Sequence, residues 1–440
     1  MNEVEILRAS LFHTPASDRS HEGLPSARLI AHEDGALAIQ HGRILASGEY
    51  DSIHARWPEA RARDWRGGFL LPGFVDTHTH YPQARIVGRL GRTLIDWLDE
   101  VALPEEARHQ DVAYARATAD HFVGALATHG TTTALVFGAH FAAATASLFE
   151  AASRAGLRVV SGLVMSDRRL RPELHQSTTD AYRDCSELIR CFHKKGRLLY
   201  AVTPRFALSA SEAMMEVCQT LRREHADLRL QTHINESSSE VAECARLFPW
   251  ARDYLAVYER YDLDGPFSVM AHNVHVTSSE LERLAASRTS IAHCPASNLV
   301  LGSGVFPMQR HVHAGVHFAL GTDVGAGTGF AVMKEALQAH LVQRVAPHGA
   351  VLDPARMLYL STRAGAEALG LQDEIGDFST GKAADFVYLR ASRGSPLAAV
   401  LERAEAPVDR LTALFVHAGS EAVRQVRVEG AVVHQSGDES

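Results

Sequence analysis

The sequence predicts an α/β fold: a closed (β/α)8 TIM barrel carrying a small β-sandwich domain built from both chain ends. Two observations carry this reading. From about residue 69 to 325, eight short apolar runs alternate with longer stretches rich in Ala, Leu, Glu and Arg, and strand-like runs alternating with helix-length segments mark a parallel sheet. The residues suited to chemistry stand at the ends of the first, fifth, sixth and eighth runs. An open doubly wound sheet gathers its site at one switch point, so only a closed barrel brings those four ends together.

The runs are Leu70–Asp76, Thr131–Phe137, Arg158–Met165, Leu198–Thr203, Leu228–His233, Phe267–His272, Thr289–His293 and His317–Asp323, with helical periodicity between them, as in Val112–Thr128 and Glu212–Arg223. Outside the barrel, residues 36–48 read as a hairpin with a Gly-containing turn, and 380–390 and 423–434 carry similar strand-turn signals. Neither end shows helical periodicity. Residues 1–69 and 378–440 are therefore expected to meet as one β-rich side domain beside a catalytic barrel of residues 70–377. The stretch Gly325-Ala326-Gly327-Thr328-Gly329 lacks the spacing and the Lys-Ser/Thr of a phosphate loop, and reads as a flexible loop after strand eight.

A chain of 440 residues, 46% hydrophobic and 22% charged, can bury a large core. Its net charge of −8 argues against a nucleic-acid partner, whose footprint would be basic and clustered. No apolar run approaches a membrane span, and the start Met1-Asn2-Glu3-Val4-Glu5 has acid where a secretory signal has base. Five cysteines without a Cys-x-x-Cys pair suit a reducing cytoplasm and speak against a disulfide frame or a thiolate cluster. The expectation is a cytoplasmic homodimer with a small-molecule substrate, and no nucleic acid or membrane.

His78-Thr79-His80 closes the first run. Residues i and i+2 of a strand share a face, so both imidazoles can grip one ion. His233, His272 and Asp323 end later runs. Neutral imidazoles with one carboxylate and no thiolate suit Zn²⁺, with Fe²⁺ possible, and an open position would hold a water whose pKa falls towards ~7. Glu236, three residues beyond His233, is the group placed to move protons. A second ion would need a bridging ligand, such as a modified lysine on strand four. Leu199–Phe206 contains no lysine, and Lys194 and Lys195 precede it, so one metal per chain is expected.

For the substrate, Phe206 can stack on a flat heterocycle, and Arg205 offers a fork of donors to a ring carbonyl and nitrogen. Gln83 supplies the donor and acceptor that match a lactam edge, and His233, Glu236 and Asp323 are expected to join these three in binding the substrate. A flat heterocycle with a lactam edge, such as a 6-oxopurine, is expected to satisfy this set. Adenine would set its amine against Arg205, and cytosine would leave part of the site unpaired.

Pro72-Gly73-Phe74-Val75-Asp76-Thr77-His78-Thr79-His80, with the later His, His and Asp, resembles the amidohydrolase superfamily, specifically its mononuclear aminohydrolase branch. His80-Tyr81-Pro82-Gln83, Thr203-Pro204-Arg205-Phe206, Thr232-His233-Ile234-Asn235-Glu236 and His293-Cys294-Pro295-x-Ser297-Asn298 extend the resemblance over nearly the whole chain. It implies a zinc ion held by His78, His80, His233 and Asp323, with His272 at the metal or its water. It also implies hydrolytic deamination of a heterocycle, with Glu236, Asp323 and His272 as catalytic groups. Leu94-Ile95-Asp96-Trp97-Leu98 and Ala102-Leu103-Pro104-Glu105 match a lid segment of the family in outline only, with Ala-Leu where Thr-Phe is expected. The alternatives are another heterocycle on the same metal site (8-oxoguanine, cytosine or a triazine) and a non-catalytic scaffold, which would have lost ligands that are all present here.

Overall fold

In the computed structural model, which describes residues 4–15, 17–18 and 26–436, eight parallel strands follow one another round a barrel in chain order. They are β1 (Phe74–His80), β2 (Thr131–Phe137), β3 (Arg158–Gly162), β4 (Leu199–Pro204), β5 (Arg229–Ile234), β6 (Ser268–His272), β7 (Ser290–His293) and β8 (Phe318–Leu320). All but the first residue of β4 are buried, as expected of parallel strands covered on both sides. The barrel closes just beyond β8, where the Asp323 amide donates to the His78 carbonyl and the His80 amide to that of Val324, each at 2.9 Å.

The first apolar run is not one strand. Leu70–Pro72 ends a long strand, Arg61–Pro72, that belongs to the side domain and pairs antiparallel with Phe386–Leu389; β1 begins after Gly73. A Cβ on Gly73 would lie 2.1 Å from the Thr132 hydroxyl oxygen, so only glycine lets the chain pass from one sheet to the other here. Beyond β8, Gly325, Ala326 and Gly327 are buried rather than forming an open loop.

The chain ends form a seven-stranded mixed sheet. Its strand Glu5–His13 lies between Ile30–Gln40, antiparallel, and Arg61–Pro72, parallel. The expected hairpin is present as Ile30–Gln40 and Arg43–Glu49. Alternation splits the apolar side chains into two layers: Leu7, Ala9, Leu11, Leu37 and Ile39 on one face, Ile6, Ala36, Ala38 and Ala46 with Ile53 on the other. The ends are not free of helix. Pro407–His417 is helical between the strands Phe386–Leu389 and Val423–Val428 and buries Leu411, Leu414 and Phe415. Its signal was present in the sequence, with Pro at the first position and apolar residues three and four apart. Among the described residues no helix is long and apolar enough to cross a membrane.

Candidate active site

The four strand ends singled out by the sequence do converge. His78 and His80 lie on one face of β1 with their Nε2 atoms 3.2 Å apart, and His233 at the end of β5 brings its Nε2 to 3.3 Å from that of His80. An Asp323 carboxylate oxygen lies 3.3 Å from His78 Nε2 and 3.4 Å from His80 Nε2. Four donors held at ~2.0–2.1 Å round one ion in a tetrahedron are separated by about 3.3 Å, so these spacings are those of a ligand cage. Protonation supports this. Burial pushes the pKa of His78, His80 and His233 down, which keeps the rings neutral and their lone pairs free. His233 Nδ1 donates to the Arg205 carbonyl at 2.5 Å, which leaves the Nε2 lone pair facing inward. Lone pairs aimed at one another at this distance repel unless a cation lies between them, so the residues fit a metal ion.

The backbone is bent to deliver these groups. His272 and Asp323 adopt φ of +75° and +47°, the left-handed region that non-glycine residues seldom enter, and so does Asn235 at +51°. Asn235 is held by hydrogen bonds from its Nδ2 to Asn273 and Glu280, at 3.0 and 3.1 Å. The next helix, Ser238–Leu247, opens with a capping box between Ser237 and Glu240, and Glu240 also accepts the Glu236 amide at 2.8 Å. The turn places the Glu236 carboxylate 3.4 Å from His272 Nε2. His272 Nδ1 donates to Asn298 Oδ1 at 2.9 Å, so its Nε2 also points inward, towards Glu236 and Asp323.

The two carboxyl groups are set apart electrically. Burial, then the negative charges of Glu240 and Asp323, push the Glu236 pKa well above the usual carboxylate range, which favours its proton-carrying form. Burial also opposes ionisation of Asp323, but its polar contact with His78 and the neighbouring imidazoles outweighs it and holds its pKa well below the usual carboxylate range. One group able to give a proton and one able to take it thus face the same space, the pattern of acid–base pairs in catalysis.

That space is a cavity lined by His80, His233, Glu236, His272 and Asp323 on one side, and by Gln83, Arg205 and Phe206 on another. Leu94, Trp97 and Leu98 of the lid segment close it, with Leu301 and Ala326. Every site residue expected from the sequence lines it except His78, which lies behind among the ligands. Arg205 is 3% exposed, and its Nη1 donates to both oxygens of Glu106 at 2.9 and 2.8 Å. Burial opposes ionisation of Glu106, but the charge of Arg205 and the hydrogen bond from His140 outweigh it and hold the carboxyl far below its usual range. Breaking such a buried pair by truncating one partner typically costs about 3–5 kcal/mol.

Glu106 and His140 escaped the sequence reading. Glu106 follows Pro104-Glu105 in the lid, where an acid looks like ordinary surface, and only the fold shows it buried against Arg205. Cys294 is also closer than anticipated: its sulfur and one ring nitrogen each of His78 and His272 all lie within 4.8 Å of one another.

A barrel with a candidate metal cage at its carboxyl end is the architecture of a hydrolase, and sequence comparison agrees. The chain belongs to the amidohydrolase family, which it matches over residues 69–433. It is 52% identical to a probable guanine deaminase of Deinococcus radiodurans over 98% of both chains, and 39% identical to the guanine deaminase of Escherichia coli over 98% of both. The solved structure of the E. coli guanine deaminase superposes with a TM-score of 0.93 at 37% identity, covering 99% of this chain and 100% of that one.

Proposed function

We propose that the chain deaminates guanine hydrolytically to xanthine and ammonia, using one zinc ion per chain. The observation that carries this is the pairing of the cage with Arg205 and Gln83 across one cavity: groups that read a lactam edge stand opposite groups that activate water. Similarity to the two guanine deaminases supports the same reading. His78, His80, His233 and Asp323 would hold the ion, with His272 alongside. When bound, it would polarise a water so that it reacts at neutral pH.

The residues supply the rest. Arg205 and Gln83 receive the purine's lactam edge, and Phe206 packs against its face. The water oxygen bonds to C2, its first proton passes to Asp323, and Glu236 gives its proton to N3. The C2–N bond then breaks: Asp323 returns its proton to the departing amino nitrogen, and the new hydroxyl restores the proton of Glu236 as it becomes the second carbonyl of xanthine. His272 Nε2, between Glu236 and Asp323, would orient the attacking water by accepting a hydrogen bond from it. With this reading go a homodimeric assembly, to be measured by light scattering, and a cytoplasmic location.

Arg205→Ala tests the substrate assignment, because Arg205 belongs to the pocket and not to the cage. A lost charge-assisted hydrogen bond of ~1.5–3 kcal/mol should lower kcat/KM for guanine about ten- to a hundred-fold, with metal content unchanged by elemental analysis. An Arg205→Ala enzyme with wild-type kcat/KM would remove the basis for a purine pocket.

A further inference from the structure

We propose that Glu106, which lies behind the cavity wall, is the positioning residue that makes the pocket discriminate a 6-oxo from a 6-amino purine. This rests on the guanine reading above and adds to it a residue that touches neither substrate nor metal ligand.

Three residues converge on the Glu106 carboxylate. Gln83 Nε2 donates to Oε1 at 2.7 Å, and Arg205 Nη1 donates to both oxygens at 2.9 and 2.8 Å. His140 Nε2 meets Oε2 at 3.0 Å, while its Nδ1 lies 2.9 Å from the Ser166 hydroxyl. The hydroxyl can give its proton to Nδ1, which leaves the Nε2 proton for Glu106. Every neighbour is therefore a donor, and only an ionised carboxylate accepts from all of them.

Two consequences reach the cavity. Arg205 spends Nη1 on Glu106, so its Nε and Nη2 protons are the ones left for a ligand, and the guanidinium plane is fixed. Gln83 cannot turn its amide over. Its Oε1 accepts the Gly325 amide at 3.1 Å while its Nε2 is held by Glu106, so a flip would set donor against donor at Gly325 and acceptor against acceptor at Glu106. The polarity of the pocket edge is thereby set by a residue outside it. A free amide or a swinging guanidinium could adapt to an amino group; this pinned pair cannot, and mismatched buried polar groups reject a ligand strongly.

The test compares guanine with 2,6-diaminopurine, which carries an amine in place of O6, as substrates of the metal-loaded enzyme. Glu106→Gln keeps the shape but inserts a donor among donors. Its preference for guanine over 2,6-diaminopurine should fall at least about tenfold, with KM for guanine raised more than kcat is lowered and metal content retained. Glu106→Asp, which keeps the charge, should recover most of the preference. In an Arg205→Ala background Glu106→Gln should add little further loss, whereas a residue of merely structural importance would add its full effect. An unchanged preference in Glu106→Gln overturns the proposal, whatever happens to its overall rate. If Glu106→Gln does not fold, Glu106→Ala decides: a preference for guanine over 2,6-diaminopurine lowered at least about tenfold supports the proposal, and an unchanged preference overturns it. A wild type inactive on guanine overturns the substrate reading and this inference together; a wild type active on guanine with an unchanged preference in Glu106→Gln overturns the inference alone.

Discussion

Glu236→Gln should retain its metal and lose about 10²–10⁴-fold in kcat, the span typical of a positioned acid–base group. The substitution keeps the volume of the side chain and removes its exchangeable carboxyl proton. Glu236 is 4% exposed, and its contacts in the site are the Ser303 hydroxyl at 3.4 Å and His272 Nε2 at 3.4 Å. A glutamine can occupy that position without strain. Burial and two neighbouring carboxylates raise the pKa of the acid and favour its proton-carrying form, whereas an amide has no proton to give at an accessible pKa. The loss should fall on kcat more than on KM. A variant turning over within a few-fold of wild type would remove Glu236 from the chemistry.

His233→Ala should empty the cage and abolish turnover together. Its Nε2 is one corner of a set whose neighbours stand 3.2–3.4 Å apart, and its ring is aimed by the Nδ1 bond to the Arg205 carbonyl. Removing one of three imidazoles leaves two, too few for a closed site of this type. Elemental analysis should read close to zero metal per chain against about one in wild type, while the fold, buried on all sides of β5, remains. Full metal occupancy in His233→Ala would place the ion elsewhere, and two tightly bound ions in wild type would contradict a single-metal site.

The barrel was legible because its strands are short apolar runs ending in polar residues at regular intervals, and that pattern survives without any knowledge of contacts. His78, His80, His233, His272 and Asp323 were legible for the same reason: each stands at or just past the end of a run. Two kinds of feature were not legible. The run through Phe69–Thr77 hides a change of sheet at Gly73, since residues buried in either sheet are equally apolar, and only the approach of Thr132 shows where the chain passes over. Glu106 was hidden because its partner Arg205 is 99 residues away in sequence, and nothing local separates a buried paired acid from a solvated one. Arg205 itself was visible because it directly follows a strand; the residue that aims it was not.

Guanine as the substrate is tested most directly by ammonia release from metal-loaded wild-type enzyme over guanine, adenine, cytosine, 8-oxoguanine and a triazine, with the purine product identified by mass. The pinned Arg205 and Gln83 edge predicts that guanine is the fastest substrate, that xanthine is its product, and that adenine is poor because its exocyclic amine meets donors. Faster release from cytosine or a triazine than from guanine would contradict the assignment while leaving the metal cage and the family untouched.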